Sequence, residues 1–198
     1  MNNHWDELIS ALQCLPHVGK RSAQRIAFHL LANKRQHSKK LADSLNDALA
    51  NLGNCRLCNN FSPEEICNVC SNPKRNNSKL CIVESPMDLI AIEQTHKFDG
   101  LYYVLMGVLS PIDGTTPTSI GFSKLEKRIV NAQPKIDEII LATNFTNEGE
   151  TTAYVLSELI ANHKIKLTRL AHGVPVGGEI EYLDLGTIAR ALIDRQKY

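Results

Sequence analysis

Four cysteines carry the strongest chemical signal in the chain: Cys55-x-x-Cys58, eight intervening residues, then Cys67-x-x-Cys70. Two residues between cysteines let both thiolates reach the same tetrahedral ion. A gap of eight residues closes at little entropic cost. The segment offers few apolar side chains besides Leu57, Phe61, Ile66 and Val69, and a metal can substitute for the missing core because its binding free energy becomes folding free energy. Two other chemistries use the same residues. A redox CxxC usually sits where a strand runs into a helix, and neither pair does. Disulfides need an oxidising compartment. The N-terminal stretch MNNHWDELIS has no basic region followed by an apolar one, so the expected setting is a reducing cytoplasm. With four cysteine ligands no coordination position stays open. The expectation is one structural Zn2+ per chain and no metal-based catalysis. Cys14 and Cys81 stand alone on apolar elements and read as core residues.

A second constellation is acidic. One expected strand ends in Val83-Glu84-Ser85-Pro86-Met87-Asp88, and another in Ala142-Thr143-Asn144-Phe145-Thr146-Asn147-Glu148-Gly149-Glu150. Parallel strands deliver such ends to one sheet edge, where ligands bind, so Glu84, Asp88, Glu148 and Glu150 could converge. Pairing with a helix N-terminal dipole would equally account for Glu148 and Glu150. The arrangement resembles the Toprim domain of topoisomerases and primases, in which an acid after the first strand and an Asp-x-Asp after the third hold magnesium. Asn144 and Thr146 stand at the Asp-x-Asp positions here. A hard cation needs carboxylate oxygens. The expectation is weak or absent magnesium binding, no phosphodiester chemistry, and a scaffold kept for docking.

The third constellation is basic. Formal net charge over 198 residues is only +1, yet residues 1–40 carry seven Lys and Arg against Asp6 and Glu7. That is about +5 on the head and −4 on the rest. Nucleic-acid contact is therefore expected at the N-terminus, unless the charges merely solvate a helix face. Within Leu15-Pro16-His17-Val18-Gly19-Lys20-Arg21-Ser22, a short turn joins two helical patterns and resembles a helix-hairpin-helix. In that motif backbone N–H groups and a helix N-terminus hold a phosphate. Gly19 permits close approach, and Lys20, Arg21 and Arg25 add charge, the two arginines sharing a helix face. The usual motif has glycine where His17 stands.

These groups need elements to position them. Helical spacing predicts helices over 5–15, from a cap at Ser22 to about Leu31, and over 38–52 with the stripe Leu41, Leu45, Ala48, Leu49 and Leu52, closed by Gly53. After the cysteines, the polar connector KRNNSK reads as the main domain boundary. Strands at 80–83, 101–106, 139–142 and 166–170 then alternate with helices at 86–95, 123–132 and 149–163, which implies a mainly parallel sheet. Residues 110–121 read as a loop, and a last helix follows near 185–195. No stretch approaches the roughly 18 apolar residues of a membrane span. The fold class is α+β / α/β multidomain: a helical hairpin region at 1–53, a zinc finger at 54–73, a Toprim-type αβ domain at 79–172, and a C-terminal turn and helix at 173–198. The finger is expected to hold head and body in fixed relation.

In this order the pieces resemble the RecR family of bacterial recombination mediators. The resemblance rests on LPHVGKRSAQRIAFHLL (15–31), CNVCSNP (67–73), VESPMDLIAIE (83–93) and AHGVPVGGEIEYLD (171–184). It implies a non-enzymatic role in DNA repair and recombination: a ring-like homotetramer clamps single- or double-stranded DNA and works with RecO, and in many bacteria RecF, to load RecA on single-stranded gaps. It implies DNA contact at Lys20, Arg21 and Arg25 and a RecO-facing surface at Glu84, Glu148 and Glu150. The tail matches what the family describes as a Walker B-like turn, but the chain has no P-loop, and a Gly-rich turn and helix for oligomer packing is the reading preferred here. A metal-dependent Toprim nuclease or primase-like enzyme is the alternative, and a zinc-stabilised adaptor that never touches DNA is a third.

Overall fold

A computed structural model describes residues 3–110, 112, 114–171 and 173–195. Residues 1 and 2 of the expected helical region, 111 and 113 of the expected loop, 172 at the end of the expected Toprim-type domain, and 196–198 of the expected C-terminal segment lie outside the described residues. The chain divides into two compact units, 1–52 and 53–198.

The first unit is helical: α1 (Asn3–Leu12), α2 (Lys20–Asn33) and α3 (Arg35–Asn51). Ile9 of α1 packs on Ala23 and Ala27 of α2, flanked by Trp5, Leu8, Leu12 and Val18. The two alanines, fully buried, let the helices approach closely. Ser38 Oγ donates to Leu30 O at 2.8 Å, tying α3 to α2. The stripe on α3 does not form a core: Leu41, Leu45, Leu49 and Leu52 are all exposed, Leu49 by 74%. The 3.6-residue period marks an apolar face but not what covers it. Gly53 does not close α3 either. Leu52 is its extended C-cap, and Gly53 pairs with Ser62 in a short antiparallel ribbon of β1 (Gly53–Asn54) and β2 (Phe61–Ser62). Cys14 is exposed rather than in a core.

The second unit is built on a four-stranded parallel sheet of β3 (Asn76–Val83), β4 (Gly100–Val104), β5 (Glu138–Ala142) and β6 (Lys166–Arg169), in the order β4-β3-β5-β6. The central strand β3 alternates with period two. Leu80 and Ile82 face a core with Tyr103, Leu125, Ile129, Leu141 and Leu156, on the side of α5 (Phe122–Val130) and α6 (Asn147–Ile160). Cys81 and Val83 face Leu89 of α4 (Pro86–Gln94) and Tyr102 on the other. Helices on both faces explain why these strands read as continuous apolar runs. The connector 74–79 is not a free linker: residues 76–79 are the start of β3, and Arg75 is clamped by Glu93 and by the carbonyls of Phe98 and Gly100.

The cysteine segment belongs to this second unit. Val104 N–H donates to Cys58 O at 2.8 Å, Asn59 Nδ2 donates to Val104 O at 2.8 Å, and the Arg128 guanidinium donates to Leu57 O. The segment thus covers the end of edge strand β4, and Val69 packs into the core beneath. The last helix, α7 (Leu185–Ile193), begins at an Asp184 cap that accepts from Thr187 N–H at 2.9 Å. It buries none of its residues.

Candidate functional site

The four cysteines come together as their spacing predicts. Turns after β1 and β2 bring each pair inward, and all four sulfurs lie within 4.8 Å of one another. Cys58 Sγ and Cys67 Sγ are 3.4 Å apart, and Cys67 N–H donates to Cys55 Sγ at 3.3 Å. Three of the four are buried. A hydrogen bond to Cys70 and burial push the Cys58 thiol far up, whereas the same bond, assisted by the Arg128 charge, brings Cys70 down to about 6. Burial raises Cys67. Four crowded thiols cannot all ionise on their own, but a divalent cation makes the ionised set favourable. The residues therefore fit a metal ion held by four thiolates, with a structural role because no ligand position is left over. Backbone N–H to sulfur contacts and Arg128 would offset the remaining negative charge.

At the sheet edge the acids take different roles. Glu84, buried at the end of β3, accepts from Asn144 N–H at 2.7 Å and from Asn144 Nδ2 at 2.5 Å. Thr146 Oγ1 caps α6 by accepting from Gly149 N–H at 3.1 Å. The two side chains at the Asp-x-Asp positions are thus both engaged, Asn144 with the Glu84 carboxylate and Thr146 with the first turn of α6. Gly149 is required here, since a Cβ would sit 2.8 Å from Glu84 Oε1 and collide with Asn144 O. Glu84 therefore lies beneath the first turn of α6, where Glu148 and Glu150 are exposed. Glu150 accepts from Arg169 Nη2 at 2.8 Å, and the Arg169 guanidinium lies 4.7 Å from the Phe145 ring centroid. Asp88 does not join them. It closes the capping box of α4 with Ser85. Among the described residues, the cysteine quartet is the metal-competent group found, and these acids do not form one. Sequence inspection missed Arg169 and Phe145, which come from different strand ends and share no local motif.

In the head, α2 begins at Lys20 with Gly19 as N-cap, not at Ser22. No side chain caps this end, so its first N–H groups stay available to an anion. Nothing lies within 4 Å of where a Gly19 Cβ would be, so the approach is open. His17 has φ +62°. It adopts the left-handed conformation that glycine supplies more cheaply, at about 1 kcal/mol. Lys20, Arg21 and Arg25 are all exposed around this helix end.

Three family models match in sequence order. Residues 5–49 match RecR, helix-hairpin-helix, residues 78–171 match the Toprim domain, and residues 173–196 match RecR, C-terminal. The chain belongs to the RecR family. The RecR matches flank the Toprim match, so nearly all of the sequence outside the cysteine segment is accounted for. The RecR layout also agrees with the observed helical head, cysteine cluster, parallel sheet and terminal helix. DNA repair, recombination and DNA binding are the functions of these RecR domains, and the chain is of the RecR recombination-mediator type. Among the described residues no helix is long and apolar enough to cross a membrane.

Proposed function

We propose that this protein is a non-catalytic DNA clamp, a ring-like homotetramer that encloses single- or double-stranded DNA and acts with RecO, and where present RecF, to promote RecA loading. The observation that carries the reading is the uncapped N-terminus of α2, with Lys20, Arg21 and Arg25 exposed around it. One such patch binds weakly, and repetition around a ring multiplies it. Assembly is supported by apolar faces left bare in both units, Leu41, Leu45 and Leu49 on α3 and Leu185 and Ile193 on α7. Contiguous apolar surface of this kind marks protein interfaces.

The cysteine quartet holds Zn2+ as a structural ion, and the setting is the cytoplasm, at the nucleoid. Glu148 and Glu150 form the acidic face that receives RecO, with Glu84 setting its shape through Asn144. The Glu84–Asn144 and Thr146–Gly149 hydrogen bonds argue against the nuclease or primase alternative. The test is the salt dependence of DNA binding. Replacing Arg21 and Arg25 by Ala should lower the slope of log K against log salt by about one per lost phosphate contact. Solution mass should show a tetramer. An unchanged slope would favour the adaptor reading, and a strict monomer with and without DNA would end the clamp reading.

A further inference from the structure

A cavity of about 670 Å3 lies within the second unit, between the cysteine segment and α5. Its volume is within the roughly 300–1,000 Å3 of small-molecule sites. Its bottom is apolar: Leu80, Tyr103 and Ile136 are buried and Leu101 is half-buried. The Tyr103 hydroxyl is engaged with Gly121 O at 3.0 Å. Four cations line it, Arg56, Lys124, Lys127 and Arg128, and among the described residues no carboxylate does. Lys124, Lys127 and Arg128 stand at helical spacings of three and four, on one face of α5. Arg128 is fixed by its bond to Leu57 O, whereas Lys124 and Lys127 are exposed. A four-thiolate centre with a divalent ion would bring about −2 of charge to the wall at Cys55 and Cys70, which against four cations leaves an excess of about two. Arg56 is paired with Glu65 at 2.6 Å, so Lys124 and Lys127 are the cations open to a ligand. Carboxamides of Asn77, Asn131 and Gln133 complete the rim. Each offers a donor and an acceptor.

We propose that this cleft binds a nucleotide unit, with the phosphate at Lys124 and Lys127 and the base over the apolar bottom. Pockets of this size hold ligands on mostly apolar walls with a few polar groups that fix orientation, and the two exposed lysines would take the phosphate. The carboxamides match the donor–acceptor edge of a base, which a purely acidic ligand would leave unused. The unit is a free mononucleotide or one nucleotide of a DNA strand. The site belongs to the second unit and Arg21 and Arg25 to the first, and it does not depend on the clamp reading.

The zinc-loaded full chain carrying Arg21→Ala and Arg25→Ala is titrated calorimetrically with deoxyadenosine 5′-monophosphate, a short oligothymidylate, inorganic phosphate and tetraglutamate. Saturable binding of the mononucleotide or the oligomer is expected. It should weaken by about tenfold or more, roughly 1.4 kcal/mol, with Lys124→Glu and Lys127→Glu. Asn131→Trp, which fills the mouth without changing charge, should weaken it as well, with circular dichroism confirming the fold of each variant. Mutual competition identifies one site open to both sources. Binding of the oligomer alone, with the same variant pattern, identifies the strand as the source. Binding of phosphate or tetraglutamate as tight as the nucleotide's, indifference to all three substitutions, or no saturable binding would overturn the proposal.

Discussion

Glu84 and Asn144 form a two-point hydrogen-bonded pair, in which the backbone N–H and the side-chain amide of Asn144 meet the two oxygens of one buried carboxylate. A carboxylate satisfied this way is removed from metal chemistry. The amide at position 144 supplies, from within the chain, the positive end that a cation would otherwise provide.

Millimolar Mg2+ should therefore leave the melting temperature of the wild-type chain unchanged. Asn144→Asp would place a second carboxylate against Glu84, and two like charges that close cannot both remain ionised. The variant should lose about 1–3 kcal/mol at neutral pH, the cost of an unmatched buried polar pair, and recover part of it on adding Mg2+. Thermal melts with and without Mg2+ read both effects. A large Mg2+ stabilisation of the wild type would show that the acids do hold a metal.

Glu93 makes a prediction about pH. Burial alone would raise its carboxyl, but hydrogen bonds from Arg75 and Tyr102 outweigh burial and hold it below the usual carboxylate range. The same carboxylate pushes the Tyr102 hydroxyl up, after burial. Since the folded-state pKa is depressed, the stabilisation is present above the ordinary carboxylate pKa and is lost as pH falls through the folded value. Glu93→Gln should cost about 1–3 kcal/mol at pH 7, and the gap from wild type should close in strong acid. Denaturant titrations over pH 3–7 measure the gap, and a constant difference would rule out the charged network as its cause.

Cys67→Ser should abolish metal binding, from one ion per chain to none by elemental analysis. The effect should reach the sheet, because Val104 N–H is held by Cys58 O. A hydrogen bond of this kind contributes about 1 kcal/mol, so exchange at that amide should quicken by about fivefold. If Val104 stays as protected as in the metal-loaded chain, the finger does not brace β4.

What the sequence disclosed, it disclosed where the determinants are local. The cysteine quartet is a matter of spacing, and Glu84 and Glu148 are placed by the ends of apolar runs. Long-range contacts were invisible. Nothing near Arg128 announces Leu57, 71 residues away. Polar Asn76 to Lys79 concealed a strand because that half of β3 is not fully buried. The turn at His17 misled in another way. Glycine is the usual sign of a left-handed residue, and the glycine present, Gly19, has an ordinary extended backbone while a histidine takes the bend. The α3 stripe was seen correctly as apolar, but periodicity cannot tell a core face from one awaiting another chain.

The cysteine segment's seat on β4 links ion supply to solubility. A bare strand border with free N–H and C=O groups recruits strands from other molecules. A chain stripped of its ion would uncover that border at Val104, beside a loosened segment whose Phe61 is already exposed. Scarcity of metal would then register first as clumping of freshly made protein.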